Sequence, residues 1–245
     1  MVYDEVILLV YGHSDYIDIL IPALKRIELH WNSIGLALCI NDTTLVPPRV
    51  LTKFKYIYKY DDNKGVYERI LPLLNTIKES YIIFNLDINI LVNNVDEVFF
   101  ERIFNTVKNL NIDQLRLWSS GVPVPDRETL NDDMFEINKG YYMSLNTALW
   151  KRLSLLNIAS RFTNHSWRCG ECSEIQEYVK NNFKNFVVRT INSIGVTTNE
   201  HHFCPELPFV HMTDAGKWKM HGNFQKEKIK ELCNEFGIDI TKRLP

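Results

Sequence analysis

Tyr81-Ile82-Ile83-Phe84-Asn85-Leu86-Asp87-Ile88-Asn89-Ile90-Leu91 is the stretch that settles the fold class. Its first half is β-branched and aromatic, the composition of a strand buried on both faces, and polar groups enter abruptly at Asp87. On an extended backbone side chains alternate, so Asp87 and Asn89 point to one face while Ile88 and Ile90 point to the other. A carboxylate and an amide oxygen on one face can hold one hard cation, Mg²⁺ or Mn²⁺, with coordination places left for water and a diphosphate. The alternative is an Asx turn that closes the strand.

Upstream, Glu5 to Tyr11 is a second nearly continuous apolar run that ends at Gly12-His13-Ser14-Asp15. Ser14 or Asp15 can cap the helix that follows, whose apolar face is Ile17, Ile19, Leu20, Ala23, Leu24, Ile27 and Leu29. Ile34 to Ile40 repeats the strand pattern and ends at Asn41-Asp42; Phe54 to Tyr60 reads as a third strand and Val66 to Glu79 as a helix. Strands alternating with helices predict an α/β domain with a mostly parallel central sheet. Downstream, the pattern predicts a helix over Asp96 to Leu110, a strand over Gln114 to Ser119 and a polar loop over Gly121 to Asp133. Helices are expected over Met143 to Ile158, over Cys172 to Phe183 and from about Gln225, with a strand over Phe186 to Ile194. No linker separates two domains; residues 1–96 carry the regular strand and helix alternation and 97–245 the less regular remainder of one domain.

Composition bounds the function. Of 245 residues 28 are Lys or Arg and 30 Asp or Glu, a net charge of −2 that argues against a protein built to grip a nucleic-acid backbone. The apolar run Val6 to Val10 is far short of the ~20 residues that span a bilayer, and Asp4 and Glu5 stand where a signal peptide is basic. Five Cys fit a reducing compartment better than a disulfide framework, so a cytoplasmic protein is expected.

Ligands of open α/β sheets bind beyond the carboxyl ends of the strands. Base recognition is therefore expected from Tyr11, Gly12 and His13, then from Asp42 and from Asp61 or Asp62, which follow early strands. Trp118, Tyr141, Tyr142, Trp150, Trp167 and Trp218 are candidates for a sugar platform, with Trp150 assigned to the core. Cys169-x-x-Cys172, with His165 before it and His201, His202 and Cys204 after, has ligand types that zinc can use, although one such pair is a weak signal.

A strand that closes on a D-x-D-like motif, preceded by a helix rich in Leu and Ile, resembles the nucleotide-sugar-dependent glycosyltransferases of the GT-A fold. The resemblance implies a Rossmann-like domain, residues 1–96 its nucleotide-binding part and 97–245 its acceptor-binding and catalytic part, that moves a sugar from a nucleotide diphosphate donor to a hydroxyl of a glycan or glycoconjugate, with Mn²⁺ or Mg²⁺ at Asp87 and Asn89. Phe209 to Trp218 is similar to the family's H-x-x-G-x-x-K-P-W segment, which implies that His211 completes the metal site and Lys217 meets the diphosphate. Spacing and the missing Pro depart from that pattern. Asn89 stands where a second Asp is expected, which leaves room for a metal-independent site with Lys217, Lys219 or Arg69 neutralising the leaving group. Trp167-Arg168-Cys169-Gly170-Glu171 resembles the stretch in which inverting relatives place their base, so Glu171, then Glu174, is the implied catalytic carboxylate. Two other readings stand beside the transferase: a nucleotide-sugar or carbohydrate-binding module without catalysis, and a zinc-organised interaction protein.

Overall fold

The computed structural model describes residues 2–117, 129–131, 133–136, 142–163, 172–188, 204–214, 216–218 and 223–243. β1 (Val6–Gly12) is buried along its whole length because it is covered on both edges and both faces. Val6, Leu8 and Val10 face α1 (Ile17–His30) and α4 (Glu97–Asn109); Ile7, Leu9 and Tyr11 face α3 (Val66–Thr76). β2 (Gly35–Ile40) and β4 (Tyr81–Leu86) flank β1 in parallel, and β3 (Tyr56–Lys59) follows β2 outward after the short α2 (Pro48–Leu51).

The sheet continues through antiparallel neighbours. β9 (Ala148–Lys151) lies between β4 and β6 (Gln114–Arg116), and β10 (Asn185–Val188), β8 (Met134–Glu136) and β7 (Thr129–Asn131) complete nine strands in the order β3-β2-β1-β4-β9-β6-β10-β8-β7. The fold is α/β with a central mixed sheet flanked by helices, parallel in the 3-2-1-4 half and mixed beyond it. α5 (Arg152–Arg161) and α6 (Ser173–Asn182) pack with α3 on one face. β5 (Asn89–Leu91) leaves the main sheet and pairs with β11 (Phe209–His211), while β12 (Thr213–Asp214) and β13 (Lys217–Trp218) form a small hairpin against α7 (Asn223–Phe236). No helix among the described residues is long and apolar enough to cross a membrane.

Several expectations change. The helix expected over Met143 to Ile158 is β9 followed by α5: Ala148, Leu149 and Trp150 are buried between two strands, and this tertiary burial overrides a helix-like local composition. Thr129–Asn131, expected in a loop, is an edge strand. Neither Ser14 nor Asp15 caps α1; His13 caps the short 3₁₀ turn before it, its Nδ1 accepting from the Asp15 N–H. Asp87 and Asn89 do not share the face of one strand, because β4 ends at Leu86 and the chain turns through Asp87 and Ile88 into β5.

That turn is held from beneath by Asn85, which is fully buried. Its amide nitrogen donates to the carbonyls of Leu86 (3.1 Å) and Asn89 (3.3 Å), and its oxygen accepts from the Thr147 hydroxyl at 2.8 Å. Asn85→Ala strands three polar groups in a dry core. The expected loss in urea unfolding is roughly 2–4 kcal/mol, against about 0.5 kcal/mol or less for Val98→Ala on the exposed face of α4. Equal losses for the two variants would remove Asn85 from this role.

Candidate functional site

β1 is followed in sequence by β2 on one side, yet its other neighbour is β4, so the order reverses at β1 and opens a crevice at the carboxyl ends of β1 and β4. A cleft of about 450 Å³ occupies that position, within the range of small-molecule sites. Tyr11, Gly12 and His13 reach it from β1, Leu86, Asp87 and Ile88 from β4, Tyr60 and Arg69 from the β3 to α3 side, and Tyr16, His211 and Thr213 from the side of the small hairpin.

Asp87 is its floor, with only 6% of its surface exposed. Its backbone N–H donates to Tyr11 O at 2.9 Å, which extends the β1–β4 ladder by one residue, and Oδ2 accepts from the His13 N–H at 2.9 Å. Gly12 permits this approach: a Cβ there would stand 3.3 Å from Asp87 Oδ2 and 3.3 Å from a Leu20 methyl. Burial pushes the Asp87 carboxyl up to about 7, against the N–H groups of His13 and Ile88 and the more distant Arg243 guanidinium, which pull it down.

The opposite wall is aromatic and cationic. Tyr11 and Tyr60 stack with ring centres 5.2 Å apart and planes 5° apart, and the Tyr60 hydroxyl donates to Gly12 O at 2.8 Å. The Arg69 guanidinium lies 4.8 Å over the Tyr60 ring and donates to the Tyr11 hydroxyl (3.0 Å), Asp62 O (2.6 Å) and Lys64 O (2.8 Å). Burial pushes the Tyr11 hydroxyl up to about 12, so it stays protonated at neutral pH. Asp62 is fastened to this wall by Asn41 Nδ2 at 2.8 Å and lies 3.3 Å from His13 Nε2.

The structure thus brings together Tyr11, Gly12, His13, Arg69, Asp87 and His211. Asp42 is instead a cap, accepting from the Thr44 N–H and hydroxyl, and Asp61 closes an exposed turn by accepting from Asn63. Lys217 is exposed on β13, and Glu174 lies in the first turn of α6; neither is among the described residues that line the cleft. Asn89, expected as a metal ligand, is 2% exposed and holds His211 Nδ1 at 2.7 Å with its oxygen and Asn146 Oδ1 at 2.5 Å with its nitrogen. Trp218, a candidate for the sugar platform, is buried and donates to Ile240 O at 2.7 Å. Glu171, Lys219, Trp118, Tyr141, Trp167, His165, Cys169, His201 and His202 lie outside the described residues.

Sequence reasoning missed Tyr60, Tyr16 and Thr213. Tyr60 carried a signal, since it follows β3 as Tyr11 closes β1. Thr213 carried another, two residues beyond His211 on extended chain. Its hydroxyl is buried and has no hydrogen-bond partner among the described residues.

Among the described residues no three His, Cys, Asp or Glu side chains converge as a metal cage. Asp87, His211 and Thr213 line one cleft, and Asp87 is the one carboxylate among its described lining residues, a set that suits a cation shared with phosphate oxygens better than a cage of protein ligands.

No family model matches the sequence, and no curated protein matches it. Among solved structures the chain is similar to S. aureus TarS at 9% identity and a TM-score of 0.50, covering 97% of this chain and 44% of that one. It is similar to S. aureus TarS 1-349 (9% identity, TM-score 0.48, 81% of this chain and 60% of that one) and to a UDP-glucose pyrophosphorylase complexed with UDP-glucose (10%, 0.47, 75% and 90%). The chain therefore spans less than two thirds of either TarS chain. At 9% identity the likeness to TarS is one of fold alone.

The buried acid at Asp87 has a measurable consequence. With a folded value near 7 and an unfolded one near 4, the native state holds a proton that the unfolded chain releases, so stability falls as pH rises from about 4 to about 7. Asp87→Asn removes this dependence. In urea unfolding without added cation, its stability relative to wild type is expected to rise by roughly 2–3 kcal/mol from pH 5 to pH 8; a difference that stays flat across that range would contradict the burial of Asp87.

Proposed function

We propose that the cleft binds a nucleotide diphosphate sugar and that the protein transfers the sugar to a hydroxyl of a glycan or glycoconjugate. The observation that carries this reading is the buried Asp87 carboxyl at the crevice between β1 and β4, with a flat aromatic and cationic wall on one side and His211 and Thr213 on the other. The stacked Tyr11 and Tyr60 rings are buried and back the Arg69 guanidinium, which offers a base a planar cationic surface, and Asp62 and Asn41 beside it offer polar partners for base or ribose.

A diphosphate laid along the cleft then passes over Asp87. Two anions in one buried place repel; Asp87 and His211 would hold a divalent cation, Mn²⁺ or Mg²⁺, which when bound would supply positive charge against the leaving diphosphate. Asp87 also orients the donor through its fixed position against the His13 N–H. Inversion at the sugar carbon requires a carboxylate to take the acceptor's proton, and Glu171, then Glu174, are our candidates. The second reading is a module that binds a nucleotide sugar without turnover, favoured by the amide at position 89 in place of a second carboxylate.

Because Asp87 is the one carboxylate among the described residues that line the cleft, cation and nucleotide are expected to bind together. In thermal unfolding, Mn²⁺ alone or UDP alone shifts the midpoint little, whereas both at saturation raise it by roughly 5 °C or more, and Asp87→Ala abolishes that rise. A panel of nucleoside diphosphates that leaves the wild-type midpoint unmoved with Mn²⁺ would sink the reading. Release of free sugar from UDP-glucose or a related donor separates the transferase from the binding module.

A further inference from the structure

Asn89 and His211 face each other across the β5–β11 pair, and a chain of side-chain hydrogen bonds runs back from them into the protein. His211 Nδ1 lies 2.7 Å from Asn89 Oδ1, Asn89 Nδ2 lies 2.5 Å from Asn146 Oδ1, and Asn146 Oδ1 accepts from the backbone N–H of Thr147 at 3.2 Å. Amide groups and imidazole rings can each be turned or protonated either way, but a backbone N–H can only donate. The Thr147 N–H therefore fixes the Asn146 atom as oxygen. That oxygen requires the Asn89 NH₂ to face it, which turns the Asn89 oxygen towards His211, and His211 Nδ1 must then carry the proton. In the neutral ring Nε2 is left as the electron-pair donor.

We infer that Asn89, with Asn146 behind it, is a positioning residue that acts through His211, holding the ring in its Nδ1–H form so that Nε2 is the nitrogen a Lewis acid meets in the cleft. The relay explains why an amide stands where the acidic motif has a carboxylate. An Asp at 89 has no N–H to give Asn146, so two oxygens would oppose each other at 2.5 Å and the relay would break. An Asp would also ion-pair with a doubly protonated ring, in which Nε2 holds a proton and cannot donate an electron pair. A metal-bound His commonly donates its other nitrogen to such an oxygen, and losing that partner costs about 10–100-fold in metal affinity. The part of the inference that concerns the cation rests on the proposed function; the protonation pattern does not.

The test is a long-range ¹H–¹⁵N correlation spectrum of histidine-labelled protein at pH 8, with calorimetric titration of Mn²⁺ into protein saturated with UDP. For wild type we expect His211 Nδ1 at a protonated shift and Nε2 at a lone-pair shift. Asn146→Asp keeps an oxygen that accepts from both Thr147 and Asn89 and should retain the pattern. Asn146→Ala should shift the proton towards Nε2 and weaken Mn²⁺ about tenfold or more. Asn89→Asp should fail to tighten Mn²⁺. A wild-type His211 protonated at Nε2, an unchanged ring in Asn146→Ala, or tighter Mn²⁺ in Asn89→Asp overturns the inference. If wild type binds no nucleoside diphosphate, the proposed function fails while the spectrum still decides the relay.

Discussion

The Asp87 carboxyl is withdrawn from water at the point where β4 leaves the sheet, and the surrounding elements are arranged around that withdrawal. A buried acid without partners is costly, and here two backbone N–H groups and the distant Arg243 only partly offset the loss of solvent, which is why its proton is held to about 7. Gly12 gives it space, β1 gives it a ladder bond, and Asn85 fixes the turn that carries it. A carboxyl in this state ionises when positive charge is placed beside it.

The layer beneath the turn is polar in an otherwise apolar core. Asn85, Asn89, Asn146, Thr147, Ser144 and Gln114 link β4, β5, β6 and β9 through side-chain hydrogen bonds. Gln114, for example, gives its nitrogen to Tyr142 O and its oxygen to the Ser144 N–H. A fully paired network of this kind specifies one geometry, because each amide that turns over breaks bonds at both ends. The same network carries directionality from the Thr147 N–H to the His211 ring.

The parallel half of the fold was legible because Val6 to Val10, Leu36 to Ile40 and Tyr81 to Phe84 are apolar runs closed by polar turns, a pattern that local burial enforces. The antiparallel half was not: Ala148 to Lys151 has helix-forming residues, and only its place between β4 and β6 makes it a strand. Asp87 could be found from its position after a hydrophobic strand. The task of Asn89 could not, since alternation on one strand assumes that the strand continues, and the turn at Asp87 and Ile88 breaks it. Asp42 and Asp61 were drawn in by their nearness to strand ends, yet both serve local turns, while Asp62, one residue on, is reached by Asn41.

The proposed function requires Asp87 to be a buried acid that the cation of a bound nucleotide diphosphate ionises. Its most direct test is the side-chain carboxyl resonance of Asp87 in ¹³C-aspartate-labelled protein at pH 6, assigned by its loss in Asp87→Asn and followed as UDP and Mg²⁺ are added together. The expected result is a carboxyl that is largely protonated in the free protein and becomes a carboxylate on addition of both. A resonance that is already ionised in the free protein, or that stays protonated with both present, would contradict it.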